Sequence, residues 1–365
     1  MQELLIKART SGAALEEALP VLVAGSRGPA VSITISEAVH RANEPDAWDD
    51  FAQGCAASYE CAHTYLRTYA RKNRFRLHLF EIFVQEDGPP QKIGQCAVGV
   101  GRVTSVFIGE LQLLEQYSRF WTLAMTELLG HLGPGHYSYG SVQSIEKSRE
   151  EELKQISAVT IESVRPLEVH AVDFSRWPTW DDYWHAISTN GRRNARHAEL
   201  FIPDLSIAIH QGRRAAYDIP TLLRLRAAMY RRKGLALGAW RALRAGLGGL
   251  GMILRCPQYV RTAVVSGQNR ALAAFFGVEF GPHVYYDSGG SRPDNGGAAW
   301  YLTLAMLRRT FERNPRTAKF IMGYVDYATH DENIGGGLLR FRRSCRVSAY
   351  PTSAVRFAYG VYPTN

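Results

Sequence analysis

Cysteine is scarce and scattered: Cys55, Cys61, Cys96, Cys256 and Cys345 are an odd number in 365 residues, with no C-x-x-C pair and no matching histidine spacing. That argues against a disulfide framework and against a structural zinc site. Long apolar runs are missing as well. A membrane-spanning helix needs about twenty predominantly apolar residues, and the most apolar stretch, Leu235 to Leu254, is broken by Arg241 and Arg244 and rich in glycine. No membrane span is expected. The first ten residues, M-Q-E-L-L-I-K-A-R-T, carry an early glutamate and no signal-peptide core, so the expected location is the cytoplasm. Ser144, Ser188 and Ser288 lack a G-x-S-x-G setting, which removes the nucleophile elbow of the α/β hydrolases. His131 and His136 flank Gly133-Pro134-Gly135, which reads as a surface loop and not as a metal pair, and no metal site is expected.

What is present is an ordinary globular composition, 46% hydrophobic and 21% charged, in a chain long enough for two domains. The formal charge of +9 favours a polyanionic partner or a phosphorylated ligand, although such a charge also serves solubility.

Strand and helix signals alternate through the first half. Arg74 to Gln85 alternates apolar and polar residues, turns at E-D-G-P-P and resumes from Lys92 to Val103 as an antiparallel hairpin. Phe107 to Leu114 reads as a strand, Ser118 to Leu132 and Glu146 to Ile156 as helices, and Val164 to Phe174 as a closing strand. In the second half, a strand at Leu205 to His210 precedes a helix at Ile219 to Lys233 and a poorly defined glycine-rich segment ending at Leu254. Three strands follow, Arg261 to Ser266, Ala271 to Phe280 and Val284 to Ser288, then a helix from Ala298 to Arg313 and strands at Lys319 to Tyr324 and Ala354 to Val361. Each half thus offers a meander, a glycine-containing loop, a helix and a strand, which implies two related α/β units. The division falls near residues 170 to 180, giving domains 1–174 and 175–365.

Two stretches invite a ligand. Thr179 and Asp182 form a capping-box pattern for a helix, and Arg192, Arg193 and Arg196 follow at spacings that place the first two beside the third on one helical face. Such a face suits phosphate; the plainer reading is a solvated basic face covering its own apolar underside. Trp180 and Trp184, at helical spacing, read as packing residues. Between a strand and a helix lies G-G-S-R-P-D-N-G-G, where Gly296 and Gly297 would let backbone N–H groups approach a phosphate at the helix start. An ordinary strand-to-helix turn would look the same.

The order W-x-x-Y-W-x-x-I-S-x-N-x-R-R-N-x-R, A-L-A-A-F-F-G-V-E-F, Y-Y-D-S-G-G-S, N-G-G-A-A-W and G-L-L-R-F-R-R-S-C-R resembles the GNAT-like domain of CelD-type acetyltransferases and of Fem-type peptidoglycan-bridge aminoacyltransferases. The match runs from about 175 to 347, with W-D-D-F at 48 to 51 and the hairpin as fainter echoes. The resemblance implies an α/β (α+β) protein of two tandem GNAT-like domains, each a mixed central sheet flanked by helices. It further implies transfer of an acyl or aminoacyl group to an amine. Two departures stand out. A Phe-Lys pair common near the end of the family is Phe341-Arg342 here, and arginine binds phosphate without readily carrying protons. The R/Q-x-x-G-x-G/A loop of acetyl-CoA-dependent members is reduced to R-P-D-N-G-G at 292 to 297. With no permanently bound cofactor expected, the co-substrate is aminoacyl-tRNA by preference, with acyl-CoA close behind. A catalytically degenerate member that binds RNA or another polyanion is the alternative from a different class.

Amide formation needs a free amine, a positioned carbonyl, oxyanion donors and a proton for the leaving group. The family resemblance places these at the central strands, where Asp287 and Asp326 are candidates for handling protons and Tyr286 for an acid. Arg192, Arg193 and Arg196, joined by Arg340 and Arg342 and by the Gly296-Gly297 turn, are candidates for holding donor or acceptor phosphates. The acceptor itself is expected to be a small or carrier-bound amine.

Overall fold

The computed structural model describes residues 32–38, 45–85, 88–232, 234, 239–314, 316–326 and 332–361. The first half runs β1 (Ser32–Glu37), α1 (Pro45–Gly54), α2 (His63–Asn73), β2 (Arg76–Gln85), β3 (Gln91–Val100), β4 (Ser105–Phe107), β5 (Gln112–Leu113), α3 (Trp121–Leu132), β6 (Gly135–Tyr139), α4 (Glu150–Lys154) and β7 (Val159–Asp173). Two helices, α5 (Trp180–Ala186) and α6 (Thr189–Phe201), lead into the second half. There β8 (Ser206–Gln211), α7 (Ile219–Arg232), α8 (Ala239–Arg255), β9 (Val260–Gly267), β10 (Arg270–Phe280), β11 (His283–Ser291), α9 (Ala298–Arg313), β12 (Lys319–Val325), α10 (Glu332–Ser344) and β13 (Ser348–Tyr359) repeat the order of the first.

The expected hairpin is β2 and β3, paired from Arg76↔Val100 to Val84↔Gln91. The single strand expected over Phe107 to Leu114 is instead two short ones, interrupted at Gly109, whose φ of +80° a strand cannot continue through. The capping box forms as the sequence predicts, with Thr179 accepting from the Asp182 N–H and the Asp182 side chain accepting from the Thr179 N–H. The glycine-rich segment proves helical. It is α8, and its glycines permit close packing on α7: a Cβ at Gly246 would stand 2.8 Å from Leu223 Cδ1. Sequence reasoning also passed over β1, α1, α2, β6 and α10.

All the strands join one mixed sheet in the order β1-β2-β3-β4-β6-β13-β7-β12-β11-β10-β9-β8, with β5 beside β3. The centre of that order is exchanged. β7, the last strand of the first half, pairs with β12 of the second, while β13 pairs with β6 of the first, and β7 and β13 pair antiparallel with each other. The chain division after residue 174 therefore runs across a continuous sheet. Alternate residues of β10 serve opposite faces. Ala273 and Phe275 join the core beneath α9, whereas Ala274 and Phe276 pack with Leu222 and Leu225 of α7. On that second face, Ala52 of α1 and the Tyr59–Cys61 turn pack against Val278, Tyr285 and Ile321, so part of the first half roofs the sheet of the second. Among the described residues no helix is long and apolar enough to cross a membrane.

Candidate active site

β11 and β12 run parallel but are paired only at Val284↔Phe320 and Tyr285↔Ile321. Directly beyond, both strands slip. Phe276 of β10 faces Ser288 and Gly277 faces Tyr286, which leaves Asp287 as the extra, unpaired residue of a bulge. On β12 the register to β7 shifts between Ile321 and Tyr324, where Gly323 adopts φ +91°. The two irregularities splay the strands into a wedge. The first half repeats this device, with β4 and β6 parallel and paired only at Ser105↔Tyr137 and Val106↔Ser138.

Arg342 reaches the wedge from α10. It is 5% exposed, Nη1 donates to the Tyr324 carbonyl at 3.2 Å, and Nε has no partner. A Cβ at residue 323 would stand 2.9 Å from Arg342 Nη2, so the positive-φ glycine also makes room for the guanidinium. Burial pulls the Arg342 pKa down to about 10, with Tyr286 opposing that shift. The group stays cationic at neutral pH with no carboxylate partner among the described residues. Tyr286 packs edge-on to Phe275 at 5.2 Å, and burial pushes its hydroxyl up to about 12.

Asp287 is exposed, on a strand whose neighbours Tyr285 and Gly289 are buried. Burial raises its pKa, and Arg226 of α7 together with Ser288 partly restores the charged form. Helix α7 lies hard against β11 here: a Cβ at Gly290 would fall 2.4 Å from the Arg226 N. Gly290 thus sets how closely the α7 backbone at Arg226 approaches β11, while Gly289 makes room for the Tyr286 ring.

Sequence reasoning missed an acidic cluster beside it. Tyr59 meets Tyr285 edge-on at 4.9 Å, and the charge of Asp287 contributes to the raised pKa of Tyr59. Next to Tyr59, Glu60 accepts from Tyr65 Oη at 3.0 Å and from Ser141. Glu110 is 4% exposed and has one unpartnered carboxylate oxygen. Burial lifts its pKa to about 8, with Glu146 adding to the effect. Burial also raises Glu60 and Glu146. Nothing local in the sequence marks these glutamates, which come together only because the Tyr59–Cys61 turn, the β4–β5 link and the segment after β6 meet.

The other expected residues lie elsewhere. Asp326 is buried at the end of β12 in an ion pair with Arg165 of β7. Arg192 Nη1 donates to the His185 carbonyl at 3.1 Å, closing the end of α5, and Arg193 bonds Asn190 at 3.1 Å. The Arg196 guanidinium stacks over Trp184 at 5.6 Å, and Arg340 is exposed. Arg192, Arg193, Arg196 and Arg342 each engage a different group. At the start of α9, Asn295 Oδ1 accepts from the Gly297 N–H at 3.0 Å. A Cβ at Gly297 would fall 2.1 Å from the Asn194 carbonyl of α6. The φ values of +57° and +93° at Gly296 and Gly297 serve this close crossing of helices. Among the described residues no group of three or more His, Cys, Asp or Glu is placed to hold a metal ion.

No family model matches the chain, and no curated protein matches its sequence. Solved structures do match. The crystal structure of FemX is 11% identical and superposes over 89% of this chain and 97% of its own with a TM-score of 0.58. The chain has the fold of FemX. A conserved protein of unknown function from Bacteroides thetaiotaomicron VPI-5482, also 11% identical, covers 89% of this chain and 99% of its own at 0.52. The repeated order of elements around one mixed sheet agrees with a FemX-like fold, as the Fem-type resemblance of the sequence motifs implies.

Proposed function

We propose that this protein transfers an acyl or aminoacyl group from an activated donor to an amine, with the reaction at the wedge between β11 and β12. The observation that carries the reading is the pair of charges around Tyr286 at that wedge: a bulged carboxylate, Asp287, and a buried cation, Arg342, that has no carboxylate partner among the described residues. A carbonyl entering beside Tyr286 would meet the Arg342 guanidinium, which can stabilise negative charge as the amine attacks. Asp287, held near Arg226 with its pKa raised, is suited to accept the amine proton and return it to the donor's alcohol or thiol as the ester or thioester bond breaks. The nearby Glu60 and Glu146, with Glu110 protonated beside them, would disfavour an anion on the acceptor side. Asp326, already bonded to Arg165, would position that strand end.

Aminoacyl-tRNA is the favoured donor. A coenzyme A pyrophosphate needs several convergent backbone N–H groups, and at the start of α9 Asn295 already occupies that of Gly297 while α6 covers the approach. The test supplies purified protein with charged tRNA or acyl-CoA and a panel of amines, following amide formation by mass spectrometry. Ribonuclease-sensitive transfer supports the reading; transfer from acyl-CoA alone would reassign the donor, and no transfer from either would remove the proposal.

A further inference from the structure

β8 is the last strand of the sheet, and along it lies a surface cavity of about 320 Å³ lined by Ile209, His210, Gln211, Arg214 and Arg309. Behind this cavity sits Glu279, 5% exposed. Three guanidinium groups converge on that carboxylate: Arg261 Nε at 2.8 Å, Arg313 Nη1 at 2.9 Å and Arg309 Nε at 3.7 Å. One carboxylate therefore answers three cations. Arg261 Nε, although close to Glu279, lies off the hydrogen-bonding direction and is left unpartnered. Burial lowers the Arg261 pKa, Glu279 opposes that shift, and Arg309 and Arg313 add to it.

Part of this arrangement is structural. Arg309 and Arg313, one turn apart in the C-terminal half of α9, suit the negative end of the helix dipole, and Arg313 also bonds the Gly281 carbonyl at 3.0 Å. Arg214 has no such role. It comes from a separate turn, Gly212–Asp218, is exposed, and lines the cavity opposite Arg309 without a carboxylate partner among the described residues. The nearest acid of that turn, Asp218, is engaged by His210 at 2.8 Å and Thr262 at 2.6 Å. Guanidinium groups brought together from two segments repel unless an anion stands between them, and their planar forks match phosphate oxygens.

We propose that this pocket binds a phosphate group, with Arg214 and Arg309 as its direct contacts and the Arg261–Arg313–Glu279 cluster as the positive ground beneath it. It is a separate site from the wedge. Gly297 begins α9 and Arg309 and Arg313 close it, so the pocket lies toward the far end of a helix about 24 Å long. A phosphate held there anchors a ligand at a distance from the reacting atoms. An RNA backbone and a small phosphate ester share this chemistry, and two probes separate them: a short fluorescent RNA duplex followed by anisotropy, and adenosine 3′,5′-bisphosphate followed by calorimetry.

The Arg214→Glu, Arg309→Glu double variant is expected to weaken binding of at least one probe about 10-fold or more. If RNA is the ligand, the variant also reduces the salt slope by about two. A charge-matched control, Lys72→Glu with Arg102→Glu on the exposed surface of the first half, should change either affinity by less than about threefold. Loss confined to the RNA arm identifies a nucleic-acid backbone, and loss in the bisphosphate arm a small ester. Unchanged affinity in both arms, equal loss in the control, or no binding of either probe by the wild-type protein would overturn the assignment. Amide-forming activity, measured separately, judges the transfer reaction and not this pocket.

Discussion

Replacing Glu110 by glutamine separates the electrostatic cost of the acidic cluster from its packing. Glu110 is buried, with a pKa lifted from 4.5 to about 8, so the folded chain holds a proton that the unfolded chain has released. A carboxyl raised in this way stabilises the folded state at low pH and loses that contribution as pH climbs through the folded value. His283 has the opposite sign. Its folded pKa is lowered from 6.5 to about 4, so its effect is confined below pH 6.5. Between pH 6.5 and 8, therefore, the wild type should lose about 1.5 kcal/mol from Glu110. Glu60, Glu146 and Asp287 act with the same sign as Glu110. Glutamine stays neutral in both states while keeping the volume, so Glu110→Gln should gain on the wild type as pH rises above 4.5, by about 1.5 kcal/mol between pH 6.5 and 8 alone. Urea unfolding of both proteins across that range gives the difference directly. Parallel stability curves would refute the buried proton, and a variant less stable at every pH would show that the carboxyl contributes only shape and hydrogen bonding.

Gly297→Ala should destabilise by more than about 1 kcal/mol in thermal unfolding, because φ is +93° and the new Cβ would meet the Asn194 carbonyl at 2.1 Å. Glu279→Gln should cost about 2 kcal/mol or more, since it strips the counter-charge from the buried Arg261 while Arg309 and Arg313 remain partly solvated. Arg342→Met should leave the melting temperature unchanged or raised, as a buried cation with no carboxylate partner among the described residues is costly, while lowering kcat by about 10²-fold in the transfer assay.

How much was legible depended on whether the signal was local. The β2–β3 hairpin, the Thr179–Asp182 capping box and α9 follow from alternation, a side-chain cap and helical periodicity within one stretch of chain. The exchange of β7 and β13 was not legible, since it joins residues such as Val169 and Tyr350 that are far apart in sequence. Asp287 could be singled out by its motif, but the bulge that exposes it depends on a register slip against Gly277. Three closely spaced arginines suggested one anion site; in the fold Arg192 closes α5 and Arg196 stacks on Trp184. Conversely, Glu60 and Glu110 are 50 positions apart and gain their properties from shared burial, which no sequence window contains.

The most direct test of the account is the single-turnover rate of amide formation by Asp287→Asn, using whichever donor supports transfer. Asparagine keeps the bulge and the volume but cannot take the amine proton. The expected result is a rate about 10²-fold below wild type at saturating donor, with the melting temperature and donor affinity preserved. A wild-type rate in that variant would contradict the account and separate the chemistry from the β11 bulge.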